Sequence, residues 1–547
     1  MFAKFQQKII FPDSMNRILN IKGYKELFVV FISIIFTELF FRVFRSFFHK
    51  KVVLKSLESL EQNGFENLKV NSIFFKDSIF FSFLGESIFY CTIFIIITAV
   101  FFFFRNKIMW SDITENKSIR ILILLTTLIF TYTTTFSSFN YFTENSVVID
   151  RVLIIIFSIL VYFSPLFLVY FFTILFLQYG SYDFPFNQFS YTDKLLPLSI
   201  LIYTFCSAIF FLVLKKKSKF QYNKIWLIGS LIIVFGSYFS PFILKVLISP
   251  NLIDWFIIED FGLALERYIA RGWLLNLNQD IIGYIKDFVF NFQKPLLLIS
   301  FIIEGIAIFL FLKRKISILI ISLFTILNIA IFSLSAIFFW KWILFNLMFI
   351  GYLIFTKPNF DFKNKGIVIL FSIIVSFTLA IFPKLGWYSM PYTLNYSLIV
   401  EDKEGTNYNV KGNDMAPFDI YFTFSRWDVL DKNQLPTSTS NYDELKFYRS
   451  LNTEELIKYQ KKNGQNRFNQ DKLNKLEFFL SEYFKNFNKK IKSPHFYLKP
   501  ISHIQTQVNN KFLFDKKVKK VKIVATEYWF EKNKISSNQS IIKTIKI

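Results

Sequence analysis

A polytopic α-helical membrane protein of about ten spans, carrying a C-terminal exoplasmic α+β domain, is the architecture this sequence predicts, on three observations. The 547 residues are 53% hydrophobic with a mean hydropathy of +0.41, more apolar than the roughly 45–50% of ordinary soluble proteins. Ten separate stretches approach the ~20 apolar residues needed to cross a bilayer. From about Lys384 onward such stretches stop and the composition turns polar. The chain therefore divides into a multispanning part, residues 1–383, and a soluble part, residues 384–547.

The predicted spans run in order Leu27–Phe41, Ile79–Phe104, Ile119–Phe136, Val152–Leu177, Leu195–Leu214, Ile225–Leu247, Pro295–Leu312, Ile316–Ile337, Phe338–Phe355 and Gly366–Phe382. The first is short, flanked by charge and without a small-residue cleavage site, which reads as a retained anchor rather than a signal peptide. Between Ser249 and Lys294 acidic, basic and Trp residues mix with short apolar runs, a pattern expected of amphipathic helices at the membrane interface. Three basic loops, Lys215–Lys219, Lys313–Lys315 and Lys357–Lys365, read as cytoplasmic. Fixing the first inside and counting spans places the other two inside as well. The same count puts 43–78 and 138–151 inside, and the 179–194 loop, the 249–294 segment and the tail outside. The Arg105–Ile119 loop also falls outside, despite a slight positive excess. A multi-pass protein of the inner (cytoplasmic) membrane follows.

In the tail, residues 401–547 carry 27 basic against 17 acidic residues; a long domain translocates largely regardless of such charge. The sequence SLIVEDKEGTNYNV alternates around a D-K-E-G turn and predicts a hairpin, 441–490 has helical spacing, and VKKVKIVATEYWF predicts a strand.

The +24 formal charge fits membrane topology and headgroup contact; no basic-aromatic module accompanies it, so nucleic acid is not an expected partner. The partners expected are the lipid bilayer and a membrane or translocated protein. Two cysteines, Cys91 and Cys206, both within apolar runs, offer neither a disulfide framework nor a Cys-based zinc site, and no metal is expected. The three histidines, His49, His495 and His503, lie outside the predicted spans. Chemistry that depends on intramembrane histidine, as in some acyltransferases or bis-His haem proteins, has no residue to use.

Ionisable and amide groups at membrane depth are costly, about 2.5–3.5 kcal/mol each for a charge on insertion scales, so they mark candidate sites. They are Glu38, Glu86, Lys245, Glu304, Asn328 and Lys341. Glu38 and Glu86 lie near span ends, and Lys341 lies between Trp340 and Trp342 like an interface anchor. Lys245 sits near the exoplasmic end of its span. Either it snorkels to that surface, or it turns inward beneath the 249–294 segment, where loss of hydration favours the neutral amine and makes it a candidate base. Glu304 and Asn328 lie mid-span in successive helices, where the amide can satisfy the carboxyl as a polar clamp or share in a site.

The order of these residues resembles the horizontally transferred transmembrane (HTTM) family, which includes vitamin K-dependent gamma-carboxylase. Tyr238, Phe239 and Lys245 near a span end, Trp255 in an acidic amphipathic segment, Glu304 in the next span and a polar-centred span after it carry the resemblance, with FSYTDKLLPLSIL at 189–201 similar to the family's Asp-Leu-Leu span entry. It covers about 150–383. The resemblance implies that Lys245 acts as the base that deprotonates a reduced quinone, whose oxygenation makes the stronger base that prepares a glutamate for CO2 addition. Two positions depart from the pattern: Phe242 replaces a small residue, and Asn328 stands where histidine is expected.

Three functions follow as expectations. One is a membrane enzyme with an exoplasmic-facing site, catalytic residues Lys245, Glu304 and Asn328, acting on a lipid-soluble cofactor or translocated peptide. Another is a non-catalytic subunit or scaffold of a membrane complex. The third is a lipid-linked transferase, for which Glu259-Asp260 is the one adjacent acidic pair in the outer membrane-proximal segments.

Overall fold

A computed structural model describes residues 24–48, 72–86, 88–136, 147–183, 196–214, 221–383 apart from 361 and 363, 385–410, 438–462, 469–490, 501, 516–531 and 534–547. The Lys215–Lys219 loop, most of the 189–201 motif and the three histidines lie outside the described residues.

The membrane part contains α1 (Tyr24–Phe48), α2 (Ile79–Gly85), α3 (Ile88–Ile108), α4 (Lys117–Phe136), α5 (Val148–Leu160), α6 (Phe167–Asp183), α7 (Leu196–Leu214), α8 (Tyr222–Ile248), α9 (Phe261–Ala270), α10 (Gln279–Gly305), α11 (Arg314–Ser335), α12 (Trp340–Thr356) and α13 (Lys365–Thr378). Among the described residues six helical segments are long and apolar enough to cross a membrane, seven if α2 and the start of α3, which meet at 109°, form one broken span. Three shorter apolar helices accompany them: Phe167–Ser181, Trp340–Thr356 and Lys365–Thr378.

α8 is the centre of this bundle. Its residues from Ile225 to Pro241 are all buried, and it packs against α1, α7, α10 and α13. The approach of α13's end requires a glycine, since a Cβ at Gly236 would come within 2.5 Å of the Phe382 ring.

The predicted span Ile79–Phe104 is the broken pair α2–α3, and two further predicted spans differ. Val152–Leu177 is not one helix. The rings of Phe157 and Tyr170 stack at 4.9 Å, whereas 13 residues of straight helix would separate them by about 20 Å, so the chain folds back between α5 and α6. Pro165 is the local cause, because it restricts Ser164 and cannot donate a helical hydrogen bond. A fold-back in place of a single crossing removes the basis for counting sides upstream of it. Second, the span expected to start at Pro295 begins at Gln279 and continues to Phe311, 33 residues in all. At 1.5 Å per residue this is about 50 Å, well beyond a ~30 Å hydrocarbon core. Asp280, Lys286, Asp287 and Lys294 fall in its first half, which keeps the polar character expected of 249–294 on a continuous helix.

The soluble part holds β1 (Tyr388–Ser389), β2 (Tyr392–Asp402), β3 (Asn407–Val410), β4 (Ser438–Thr439), α14 (Tyr442–Ser450), α15 (Thr453–Lys462), α16 (Gln470–Lys490), β5 (Val518–Glu531) and β6 (Lys534–Lys546). The predicted hairpin is β2–β3, closed by Asp402, whose carboxylate accepts from the Glu404 and Thr406 N–H groups. β3, β2, β5 and β6 form an antiparallel sheet in that order, covered by α15 and α16. Alternate residues of β2 are buried from Leu394 to Val400, the period-2 signal that the sequence displays.

This sheet domain is joined to the membrane part through residues 248–278. Tyr388 Oη donates to the Ile248 carbonyl at 3.2 Å, Trp255 Nε1 to the Trp387 carbonyl at 3.1 Å, and Arg449 to the carbonyls of Ile258 and Ser389.

Candidate functional site

Lys245 lies one turn from the end of α8 and Glu304 next to the end of α10, two packed helices. The structure brings them together: Lys245 Nζ donates to Glu304 Oε1 at 2.7 Å and Oε2 at 2.8 Å. Both side chains are under one-tenth exposed. The Trp255 ring covers the amine, its centroid 4.5 Å from Nζ. Lys245 thus turns inward rather than snorkelling to the surface, and the sheet domain holds its cover in place through the Trp255–Trp387 hydrogen bond.

Burying two charges is repaid only with close, multiple contacts; both carboxylate oxygens and the ring face supply them here. Removing one partner alone would leave an uncompensated charge, a loss of about 3–5 kcal/mol.

Aromatic rings line the rest of the site. Phe242 stacks on Phe239 at 5.3 Å and meets Phe301 at 4.6 Å; Phe301 in turn meets Phe256 at 5.9 Å. The large residue at 242 is accommodated by Gly305, where a Cβ would stand 3.0 Å from the Phe242 ring. Phe242 therefore fills the face beside Glu304 that a small residue would leave open. A quinone-class ring approaching along the Gly305 face would meet the Phe242 ring, so the residues as they stand do not fit that group on this side.

Asn328 does not complete the pair. Its Nδ2 donates instead to Tyr238 Oη at 2.7 Å, and Asn346 Nδ2 donates to the same oxygen at 2.8 Å. The polar clamp expected between Glu304 and Asn328 is replaced by two centres: Lys245–Glu304, and Tyr238–Asn328–Asn346. Tyr238 precedes Lys245 by seven residues, which puts them two turns and about 10 Å apart on α8. It stacks on Phe324 at 3.8 Å, so its hydroxyl is positioned by a ring on α11 and amides on α11 and α12.

The other candidates divide. Glu38 is buried, accepts from Arg42 Nε and the Ile381 N–H, and ties α1 to the end of the membrane part. Glu86 is exposed. Lys341 Nζ lies 5.4 Å from the Phe130 centroid and 5.9 Å from that of Trp340. Glu259 and Asp260 are engaged with backbone: Glu259 Oε2 accepts from the Ser389 N–H at 2.9 Å, and Asp260 caps α9 through the Leu263 N–H. Burial pushes the Glu259 carboxyl up from its ordinary range, against the pull of Ser389, Arg449 and Arg267. An acidic pair devoted to holding β1 and starting α9 does not serve as a paired-carboxylate transfer site.

Three groups were not selected from the sequence. Asn346, in ILFNLMF, carries the same signal as Asn328, an amide inside an apolar run. Asp150 accepts from Ser78 Oγ and from the Ile79 and Phe80 N–H groups, capping α2 from α5. Arg267 and Arg271, four apart and therefore on one helical face, are both buried at the junction with the sheet domain.

Among the described residues no cluster of three or more His, Cys, Asp or Glu is placed to hold a metal ion. No family model, curated protein or solved structure matches the chain.

Proposed function

We propose that the protein is an integral membrane enzyme with an HTTM-like core of about ten apolar segments and an exoplasmic C-terminal domain, in which Lys245 and Glu304 are an acid–base pair acting on a lipid-soluble molecule or a translocated peptide. The observation that carries this reading is the meeting of a lysine and a glutamate from different helices at 2.7 Å, away from water and under a ring supplied by the interfacial segment.

At 2.7 Å a proton can pass directly between Lys245 Nζ and Glu304 Oε1, with no water between them. The amine then accepts a proton from an acidic C–H or O–H of the substrate while Glu304 holds, and can return, the proton it received. Trp255, Phe242 and Phe301 exclude water. Asn328, with Tyr238 and Asn346, supports the helices that carry the pair.

A second reading is favoured by a different observation: both Glu304 oxygens are bound to the amine and Phe242 closes the adjacent face. Under it the pair is a pin, and the protein is a scaffold whose spans and basic tail hold a membrane complex. Untargeted mass spectrometry of lipids and exported peptides from cells producing wild type, Lys245→Arg or Lys245→Ala separates the two. The enzyme reading requires a mass change present with wild type and lost in both variants while the Arg protein still melts cooperatively. A scaffold gives no product, tolerates Arg and loses co-purifying proteins with Ala.

A further inference from the structure

We propose that Arg267 and Arg271 form, with Thr393 and Tyr528, a binding site for a phosphate oxyanion at the junction between α9 and the C-terminal sheet. This is separate from the Lys245–Glu304 pair and rests on buried guanidinium nitrogens that have no partner among the described residues.

Arg267 is 9% exposed and Arg271 6%. Arg267 makes no side-chain hydrogen bond or ion pair among the described residues, and the Nε atoms of both arginines are buried without partners. Among the described residues the one side-chain bond of the pair runs from Arg271 Nη2 to Thr393 Oγ1 at 2.5 Å. Thr393 and Tyr528 are register partners on β2 and β5, so their side chains share a sheet face. Burial, and then the like charge of Arg267, push the Arg271 guanidinium down to about 9. A guanidinium keeps its proton in proteins, and the Tyr268 ring 6.0 Å from Arg271 Cζ offers only a weak cation–π contact, so an anion would be favoured here.

Among the described residues, the carboxylates along this stretch are engaged with other groups. Glu259 is near enough to act on Arg267 electrostatically but hydrogen-bonds the Ser389 N–H. Asp260 is engaged at the α9 cap. Glu266 faces the other way, to Lys286 on α10 at 3.2 Å. Arg449 and Lys294 also border this junction, each bonded to backbone carbonyls. Two guanidinium forks and the Thr393 hydroxyl, with Tyr528 close by, offer donors from several directions, which suits a tetrahedral phosphate with its several oxygens better than a two-oxygen carboxylate. Because the site lies between the end of α8 and the start of α10, the phosphate can belong to a lipid headgroup or be free in solution.

The test uses the full chain purified in detergent. Melting temperature is followed against inorganic phosphate with chloride at matched ionic strength, and separately against mixed micelles containing phosphatidylglycerol or phosphatidylcholine, with native mass spectrometry for retained phospholipid. A saturable upward shift with inorganic phosphate, weakened about tenfold or more in Arg267→Gln and Arg271→Gln, supports a free phosphate ligand. A shift seen only with phospholipid micelles, with lipid retained by wild type and lost by the variants, supports a headgroup. Arg267→Lys keeps the charge but not the fork and should fold with weakened binding if the Gln variants fail to fold. Absence of any saturable shift in wild type, or equal shifts in wild type and Arg267→Lys, overturns the proposal.

Discussion

Two buried charge centres lie close along the chain in this protein and are handled in opposite ways. At Lys245–Glu304 each charge meets its opposite at 2.7–2.8 Å; at Arg267 and Arg271 two like charges share, among the described residues, one side-chain hydrogen bond, to Thr393. Both positions exclude water, so the difference is one of partner supply. The first pair is completed by two helices of the bundle. The second stands where a helix meets a sheet whose nearby carboxylates are engaged elsewhere. A balanced buried pair holds elements together; an unbalanced one at a domain junction implies something brought from outside.

The comparison breaks most sharply at Glu304. Glu304→Ala should lower stability by about 3–5 kcal/mol by stranding the Lys245 ammonium, whereas the double variant Lys245→Met/Glu304→Leu should recover most of it; thermal melting in detergent measures both. If the single variant is as stable as wild type, the charges are not mutually dependent. Next comes the amide centre. Tyr238→Phe removes the oxygen shared by Asn328 and Asn346 and should cost about 1–3 kcal/mol, because two buried amides lose a partner, read in the same melting assay.

At the junction, Glu259→Gln should remove a pH dependence. Burial raises the folded Glu259 above its unfolded value, so between those two values the folded state holds the proton more tightly. Its contribution to stability therefore falls as pH rises through that window and is recovered on acidification. Limited proteolysis as pH is lowered from neutral toward the ordinary carboxylate range should show the junction tightening in wild type, and a flatter profile in the variant. The smallest effect is expected at Lys341. Lys341→Gln gives up contacts to the faces of Phe130 and Trp340, about 0.5–1 kcal/mol, and a loss near that of Glu304→Ala would place Lys341 among the buried pairs instead.

Much of this architecture is legible in the chain because the signals are local. Apolar runs of span length, the D-K-E-G turn, the alternation of β2 and the strand composition of β5 each depend on residues adjacent in sequence. The same holds for recognising Lys245, Glu304 and Asn328 as exceptional, since a charge or amide in an apolar run needs no coordinates to be noticed. Where local signals compete, the reading fails: Val152–Leu177 has the composition of one span, but Pro165 lets it fold back, and Gln279–Lys294 has interfacial composition on a helix that continues through Pro295.

Sequence alone determined which groups had to find partners, because desolvation acts on a residue type wherever it is buried. Which partners they found was decided by the tertiary structure: Glu304 for Lys245 across 59 positions, Tyr238 rather than Glu304 for Asn328, and, among the described residues, no hydrogen-bonded acid for Arg267. The physical reason is range. Hydropathy is written in consecutive residues, whereas hydrogen bonds and ion pairs act over about 3 Å and depend on how helices are rotated and packed.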